Sequence, residues 1–188
     1  MKRMSNNQLQ TGANSILRII NKNKRLIIVV FGILIVWYFI FGRNAGLTQD
    51  QFENKMNKIS NGIINITDSK IEKTNNGSSV YMAKWNGFTI TASVDSKDHL
   101  IFPYGVIAPS SNQMDEISLG QLLEITKGLS GIADSELSEE EKEHLILNDL
   151  NFNNVVATGT KHSASKNGIE YELIGTEDAF IFMLGKRD

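Results

Sequence analysis

Two of the three histidines stand close to carboxylates in the sequence, and such pairs could bind a metal ion or act as an acid and a base. His144 follows Glu140 by four residues, so both side chains would lie on one side of a helix. A metal site of that kind needs a third ligand, which the sequence does not identify, and the HExxH spacing is absent. A solvated acidic helix face explains the pair more simply.

His99 lies beside Asp95 and Asp98 in a segment with the composition of a turn. Two carboxylates and an imidazole can hold a cation, but Asp and Lys are also ordinary residues of turns. His162 lies among Lys and Ser residues, with no carboxylate close to it in the sequence. None of the three histidines therefore predicts a metal site, and we expect no cofactor.

The sequence carries no catalytic signature beyond these residues. It lacks a G-x-S-x-G elbow, a phosphate-binding P-loop and a dinucleotide fingerprint, and it has no cysteine. Ser130, next to Gly131, approaches the elbow pattern only loosely, and a helix end explains it. A serine triad assembles in space rather than in sequence, so that alternative stays open. We predict a protein that is not an enzyme.

Four aromatic residues could form a protein-binding surface in a strand-rich part of the chain. Trp85 and Phe88 flank an Asn-Gly pair, and Phe102 and Tyr104 flank a proline. Exposed aromatic side chains are common at protein–protein contacts. Completing a core is the more frequent use of such residues, and it remains the alternative here.

The longest apolar segment, Leu26–Gly42, reads LIIVVFGILIVWYFIFG. Its seventeen residues carry no charge and would form a helix about 25 Å long, somewhat short of a hydrocarbon core of about 30 Å. Arg25 and Arg43 can reach the interfaces and make up the difference. A cleaved signal peptide would have small residues where Arg43 stands, and the cluster Lys22-Asn23-Lys24-Arg25 directly before a helix that is apolar all round argues against a buried core helix. We predict a single transmembrane helix.

Charge differs sharply between the two sides of this segment. The chain up to Gly46 carries seven of the 19 basic residues and no acidic residue. The remainder sets 12 Lys and Arg against all 21 acidic residues, a net charge of −9. Because basic flanks stay in the cytoplasm, residues 1–25 are predicted to be a cytoplasmic arm, on or off the membrane surface, and the acidic part to be extracytoplasmic. The same negative charge disfavours nucleic acid as a partner.

Two predicted helices begin with the same cap pattern. Thr48 stands three residues before Gln51, which is a capping box, and apolar residues beside each supply the hydrophobic staple. Ser118 has the same relation to Gln121, which places Ser118 at the N-cap of the second helix. A further capping box predicts an extra acidic helix at about residues 138–150.

Each of the first two helices precedes the same series of strand signals. Asn-Gly, the strongest short hairpin signal, occurs at Asn86-Gly87 and again at Asn167-Gly168. In both places a strand, an acidic turn and a second apolar strand follow. The order helix, strand, hairpin, strand, turn, strand therefore occurs twice and predicts an internal duplication, with chance similarity of common elements as the alternative.

These elements predict an α+β fold in which one N-terminal transmembrane helix precedes an extracytoplasmic domain of two tandem repeats. Each repeat is a helix with a three-stranded antiparallel sheet, at residues 47–112 and 113–188. The two sheets can join edge to edge, which would protect strand edges. The element order is similar to that of the β-lactamase-inhibitor-protein-like modules of bacterial envelopes, without a shared motif and without the inhibitor's cysteine pairs.

The predicted function is that of a membrane-anchored, extracytoplasmic protein-binding module of a bacterial cell envelope. It would be a non-catalytic subunit or accessory factor of an envelope assembly, or a surface-tethered inhibitor, with other envelope or membrane proteins as partners. A membrane-anchored sensor of a cation or small ligand is the alternative. An envelope hydrolase that uses His99 or His144 is the least favoured hypothesis.

Overall fold

A computed structural model describes residues 46–74, 77–110 and 113–187. The predicted transmembrane helix, Leu26–Gly42, and the arm of residues 1–25 lie outside these ranges. Within them, no helix is long and apolar enough to cross a membrane. The described residues form helices and a seven-stranded antiparallel sheet, which confirms the predicted α+β class.

Four strands precede the longest helix and three follow it. The first part of the chain forms α1 (Gln49–Ile59), β1 (Asp68–Lys73), β2 (Ser79–Trp85), β3 (Phe88–Val94) and β4 (Leu100–Pro109). The middle part forms α2 (Glu116–Ala133), α3 (Glu139–His144), a π-helical turn (Leu145–Asp149) and α4 (Phe152–Thr158). The last part forms β5 (Lys161–Lys166), β6 (Ile169–Gly175) and β7 (Ala179–Lys186).

The sheet has the order β1-β2-β3-β4-β7-β6-β5, with every neighbouring pair antiparallel. The two groups of strands therefore meet edge to edge at β4 and β7, where Val106 pairs with Phe182. β1 is an additional strand that the sequence does not predict, because its segment DSKIEK has only one apolar residue and shows no alternation. The part of the chain predicted as the first repeat thus has four strands rather than the predicted three.

All described helices pack on one face of the sheet. Alternate strand residues such as Tyr81, Ile90 and Phe182 point to this face and form a single core with the helices. α1 and α2 approach closely because Gly128 has no side chain, and a Cβ there would lie 3.2 Å from Met56 Sδ. The core cluster therefore lies on the helix side of the sheet, while Val80, Ile181 and Met183 are buried on the other side.

Local sequence patterns correctly predict two of the four described α-helix starts and both Asn-Gly hairpins. The capping boxes of Thr48 with Gln51 and of Ser138 with Glu141 are confirmed. Both Asn-Gly pairs form the predicted turns, since each residue of the two pairs has a φ between 47° and 87°. The acidic helix is also present, as α3 and the π-helical turn, whereas α4 is not predicted.

The predicted N-cap of α2 is wrong by three residues. Asp115, not Ser118, caps the helix, because its carboxylate accepts a hydrogen bond of 2.8 Å from the Ser118 backbone N–H. A carboxylate is also favoured at a helix N-terminus by the helix dipole. The expected staple residue, Ile117, is 72% exposed and packs against nothing in the core.

Candidate functional site

The four predicted surface aromatics form two separate pairs. The rings of Trp85 and Phe88 stack at 6.2 Å, and those of Phe102 and Tyr104 lie 4.8 Å apart. Phe88 is opposite Ala108 in the β3–β4 register, whereas Tyr104 is opposite Ala92, so the pairs are about 13 Å apart along the strands. Phe88 and Tyr104 are buried in the core, and Trp85 and Phe102 are half-buried beside it.

Burial also explains the ionisation of Tyr104. Its hydroxyl donates to the carbonyl oxygen of Leu100 at 3.3 Å, and burial raises the pKa of Tyr104 to about 12. Its ring lies 5.6 Å from that of Phe52 on α1. Tyr104 is therefore a core residue with a satisfied hydroxyl rather than an exposed binding group.

Two of the three histidines each lie beside one carboxylate in the structure. Asp95 accepts hydrogen bonds from the backbone N–H groups of His99 and Lys97, which hold the pKa of its carboxyl below the usual range. The His99 ring lies 3.5 Å from the same carboxylate, while His144 lies 3.5 Å from Asp149 rather than beside Glu140. In the described part of the chain, no three metal-ligating side chains are grouped as a cation site requires.

Two buried polar side chains among the helices make contacts with neighbouring residues. Asp134, at the end of α2, accepts a 2.7 Å hydrogen bond from Asn167 and so fixes the tip of the β5–β6 hairpin. Lys142 on α3 is 4% exposed, forms an ion pair with Glu139 and lies where Gly131 leaves room for it. Ser130 donates to the Thr126 carbonyl oxygen within α2. These contacts are structural.

The face of the sheet opposite the helices, which we call the second face, has a different composition. The described helices pack in the core cluster on the other side, but the central side chains of this face are also buried: Met183 is 1%, Thr91 2% and Ile181 5% exposed. The pairing registers arrange its side chains in three rows across the strands, which can be read directly from the cross-strand partners.

The first row, here the isoleucine row, has an apolar centre between two lysines. Its members from β1 to β5 are Asp68, Lys84, Thr89, Ile107, Ile181, Ile174 and Lys161. Ile107 and Ile174 are half-buried, and Ile181 between them is 5% exposed. Three neighbouring strands therefore present a continuous β-branched surface.

The middle row crosses the junction of the two strand groups. Its members are Lys70, Met82, Thr91, Gly105, Met183, Glu172 and Ser163. Gly105 lies opposite Met183, and a Cβ at Gly105 would make ordinary van der Waals contact with the Met183 Cγ at 3.5 Å. Glu172 is 7% exposed and forms an ion pair with Lys161 of the isoleucine row.

The third row, here the glutamate row, contains two acidic residues and is interrupted between β4 and β7. Its members are Glu72, Val80, Ser93 and Ile101 on β1 to β4, and Gly185, Glu170 and Ser165 on β7 to β5. Glu72 forms a 2.6 Å ion pair with Lys70 of the middle row. A shallow cleft of about 250 Å³ at the β5–β6 border is lined by Lys161, Ser163, Glu170, Tyr171 and Glu172.

The arrangement matches the anatomy of a protein-binding surface. Apolar side chains occupy the centre of the second face, and charged or hydroxyl side chains occupy its β1–β2 and β5–β6 borders. Binding interfaces have the same division into an apolar core and a polar rim. The second face could not be identified from the sequence, because the rows exist only once the strand registers are known. The local signal is the alternation in β7, where Ile181 and Met183 alternate with Phe180 and Phe182.

No family model, no curated protein and no solved structure matches this chain. The similarity in element order to β-lactamase-inhibitor-protein-like modules is therefore without a structural match. What the protein does has to be inferred from its charge pattern, its fold and its second face.

Proposed function

We propose that this chain is a non-catalytic protein-binding module, anchored in a membrane by Leu26–Gly42 and exposing residues 46–187 outside the cytoplasm. It would serve as a subunit or accessory factor of a bacterial envelope assembly, or as a surface-tethered inhibitor. The basic residues before the apolar segment and the net charge of −9 after Gly46 support this orientation. The single observation that carries the binding role is the second face of the sheet.

The described helices pack on one face of the sheet, so the composition of the other face indicates what that face contacts. When that face is solvated, antiparallel strands normally alternate between apolar and polar residues. Here Ile107, Ile181 and Ile174 form an apolar row on the side away from the helices, next to Met183. Ile181 and Met183 are already buried, whereas Ile107 and Ile174 are half-buried, and burying their remaining apolar surface against a partner would release about 25 cal/mol for each Å². We therefore assign partner binding to this face.

The described domain begins only a few residues after the predicted membrane segment, which favours partners in the same membrane. Leu47 follows Gly42 by five positions and already pairs with Leu100, the first residue of β4. The backbone groups of Leu47 and Leu100 exchange two hydrogen bonds, of 2.9 Å and 2.6 Å. Gly46 lies so close to this strand that a Cβ would approach the Leu100 carbonyl oxygen to 2.8 Å. Little free chain separates the proposed anchor from the binding domain.

An internal duplication accounts for the two halves of the sheet. β2, β3 and β4 on one side of the β4–β7 junction have the same order of hairpin and turn as β5, β6 and β7 on the other. The centre of this approximate symmetry is the pair of Gly105 and Met183. Strand β1 belongs to the first half alone, and α3 and α4 to the second. The second face would then be a composite of both repeats.

The binding role is tested by changing the second face in the full chain. We expect affinity capture from detergent-solubilised membranes to recover a partner with wild type and to lose it with Ile107→Arg, because a charge would be buried in the interface. Asn54→Arg, on the exposed side of α1, is the matched control and should keep the partner. Equal recovery with both variants would contradict the assignment of this face.

The orientation has a separate test, made simple by the absence of cysteine. A single cysteine introduced as Asn54→Cys should react with a membrane-impermeant maleimide in intact cells. Labelling only after the cells are opened would place the domain in the cytoplasm and overturn the proposed topology.

A further inference from the structure

We propose that β1, the strand at one edge of the sheet, pairs with β1 of a second copy of this chain. The two strands would run antiparallel about a two-fold axis perpendicular to the sheet, so that two seven-stranded sheets become one continuous sheet. The contact surface is the strand edge and not the second face. The inference therefore goes beyond the proposed function and shares with it only the confinement to a membrane.

The outer edge of β1 has backbone groups that the described domain does not use. In the β1–β2 turn, the Thr74 N–H donates to the Ser78 carbonyl oxygen, which sets the alternation of the ladder. Every second residue counted back from Thr74 therefore bonds to β2, and Ser69, Ile71 and Lys73 direct their N–H and C=O groups away from it. These groups have no hydrogen-bond partner in the described part of the chain. Such an edge can accept another strand.

The order of charges along β1 favours pairing with itself. Lys70 and Glu72 lie on the second-face side, where their side chains are 59% and 47% exposed and form a 2.6 Å ion pair. Antiparallel pairing centred on Ile71 places Lys70 opposite the second copy's Glu72, and Glu72 opposite the second copy's Lys70. Each of the four charges then has an opposite charge both along its own strand and across the junction.

The helix side of the junction is also complementary. The same register pairs the two Ile71 side chains, each of which packs against the core of its own copy. It places the second copy's exposed Lys73 opposite Ser69, whose hydroxyl donates a 2.7 Å hydrogen bond to the Glu53 carboxylate on α1. Lys73 and Glu53 of different copies would therefore form a further pair of opposite charges.

Neighbouring registers and the opposite edge of the sheet lack this complementarity. A shift of two residues in one direction opposes the Lys70 side chains of the two copies, and a shift in the other direction opposes their Glu72 side chains, which is unfavourable. At the other edge, β5 carries Lys161 and Lys166 and no acidic residue, so two β5 strands would repel each other. The charge pattern therefore favours β1 and this register.

The symmetry of the pairing suits two chains held in one membrane. A two-fold axis perpendicular to the sheet turns the same face of both copies to the same side. The two Gly46 residues, where the described domains begin, would then lie at the same level. Because β1 has only six residues, we expect the dimer to be weak in solution and to form where a shared membrane raises the effective concentration.

Disulfide formation in isolated membranes tests the pairing and its register. Lys70 and the second copy's Glu72 form a non-hydrogen-bonded pair with Cα atoms about 4.5 Å apart, which a disulfide can bridge. The natural chain has no cysteine. Differently tagged full-length chains carrying Lys70→Cys or Glu72→Cys, expressed together and oxidised with copper phenanthroline, should give a product with both tags. Lys70→Cys alone, and Ser163→Cys on the β5 edge, should each give about tenfold less dimer.

Charge reversal tests the electrostatic basis in full-length chains that also carry Ile71→Cys. The two Ile71 positions form a hydrogen-bonded pair with Cα atoms about 5.5 Å apart, so their cysteines can also be linked. Lys70→Glu should lower the disulfide yield by about fivefold, and adding Glu72→Lys should restore it, because the exchange recreates the alternating charges. Lys97→Glu, which makes the same change in net charge in the β3–β4 turn, should leave the yield unchanged.

Each result either supports or overturns the edge pairing. A product with both tags and restoration by Glu72→Lys support it. Absence of that product while the circular dichroism spectrum is unchanged, an equal yield from Ser163→Cys, or loss without restoration overturns it. If the disulfide is absent while Ile107→Arg still abolishes partner capture, the edge pairing is wrong and the proposed binding role stands.

Discussion

Gly105 and Met183 face each other across the β4–β7 pair, at the junction of the two groups of strands. A Cβ at Gly105 would lie 3.0 Å from the Phe182 carbonyl oxygen and 3.3 Å from the Thr91 hydroxyl oxygen. The carbonyl oxygen belongs to the backbone of a central strand and cannot move independently. The junction therefore requires a glycine at this position.

The first prediction concerns this junction. Gly105→Ala should lower the free energy of unfolding by about 1–3 kcal/mol, because the added methyl group forces the two strands apart. The measurement is thermal unfolding of the full chain in detergent, followed by circular dichroism. Gly120→Ala is the control, since a Cβ there meets nothing within 4 Å, and it should stabilise α2 by up to about 1 kcal/mol. Equal effects of the two changes would contradict the close approach at Gly105.

Two buried tyrosines should respond differently to loss of the hydroxyl. Burial raises the pKa of both Tyr81 and Tyr171, but only Tyr81 has a partner, donating 3.0 Å to the Glu53 carboxylate. The Tyr171 hydroxyl has no hydrogen-bond partner among the described residues. Tyr81→Phe should cost about 1–2 kcal/mol in a denaturant titration, whereas Tyr171→Phe should be neutral or stabilising. A larger loss of unfolding free energy in Tyr171→Phe than in Tyr81→Phe would show that the Tyr171 hydroxyl has a hydrogen-bond partner.

The start of α2 gives a direct comparison of two caps. Asp115→Ala should cost about 1 kcal/mol, because the Ser118 backbone N–H loses its acceptor. Ser118 also holds the pKa of Asp115 below its usual value through hydrogen bonds to the carboxylate. Ser118→Ala retains the backbone N–H that donates to Asp115. It should therefore cost only a few tenths of the Asp115→Ala loss in unfolding free energy. If Ser118→Ala were the more destabilising change in thermal unfolding, α2 would begin where its sequence pattern suggests.

Acid should weaken the start of α3. Hydrogen bonds from the Ser138 backbone N–H, and then from Lys166, lower the pKa of Glu141 to about 2. A lowered folded-state pKa adds stability above the ordinary value of 4.5, and this contribution is lost as the pH falls from about 4.5 towards 2.

Glu141→Gln should remove this part of the acid dependence, measured as the unfolding midpoint between pH 5 and pH 2. Glu140→Gln makes the same change in net charge on a neighbouring exposed residue and serves as the control. An unchanged pH dependence in Glu141→Gln would show that the Ser138 and Lys166 contacts do not form in solution.

Elements set by neighbouring residues were predictable from the sequence. Thr48 with Gln51, and the Asn167-Gly168 turn, depend on hydrogen bonds and backbone angles within a few residues. β1 was missed because its strand character comes from pairing with β2 rather than from alternation of its own side chains. α4 was missed because Asn151, its N-cap, adopts a left-handed backbone angle and makes no side-chain cap bond.

The candidate site was not predictable for a related reason. The aromatic residues singled out in the sequence are chemically conspicuous, yet Phe88 and Tyr104 fill the core on the helix side. The second face instead contains isoleucines whose proximity depends on the registers of three strands. Register is a property of the whole sheet, since a slip of one residue would send Ile107 and Ile181 to the opposite face.

The central claim is that the second face binds a protein partner at the membrane. It is tested most directly by placing a photoreactive amino acid at Ile107 in the full chain and irradiating intact cells. The account predicts a discrete cross-linked protein product at Ile107 and none when the same amino acid replaces Asn54 on the other side of the domain. No product at Ile107, or the same products at both positions, would contradict it.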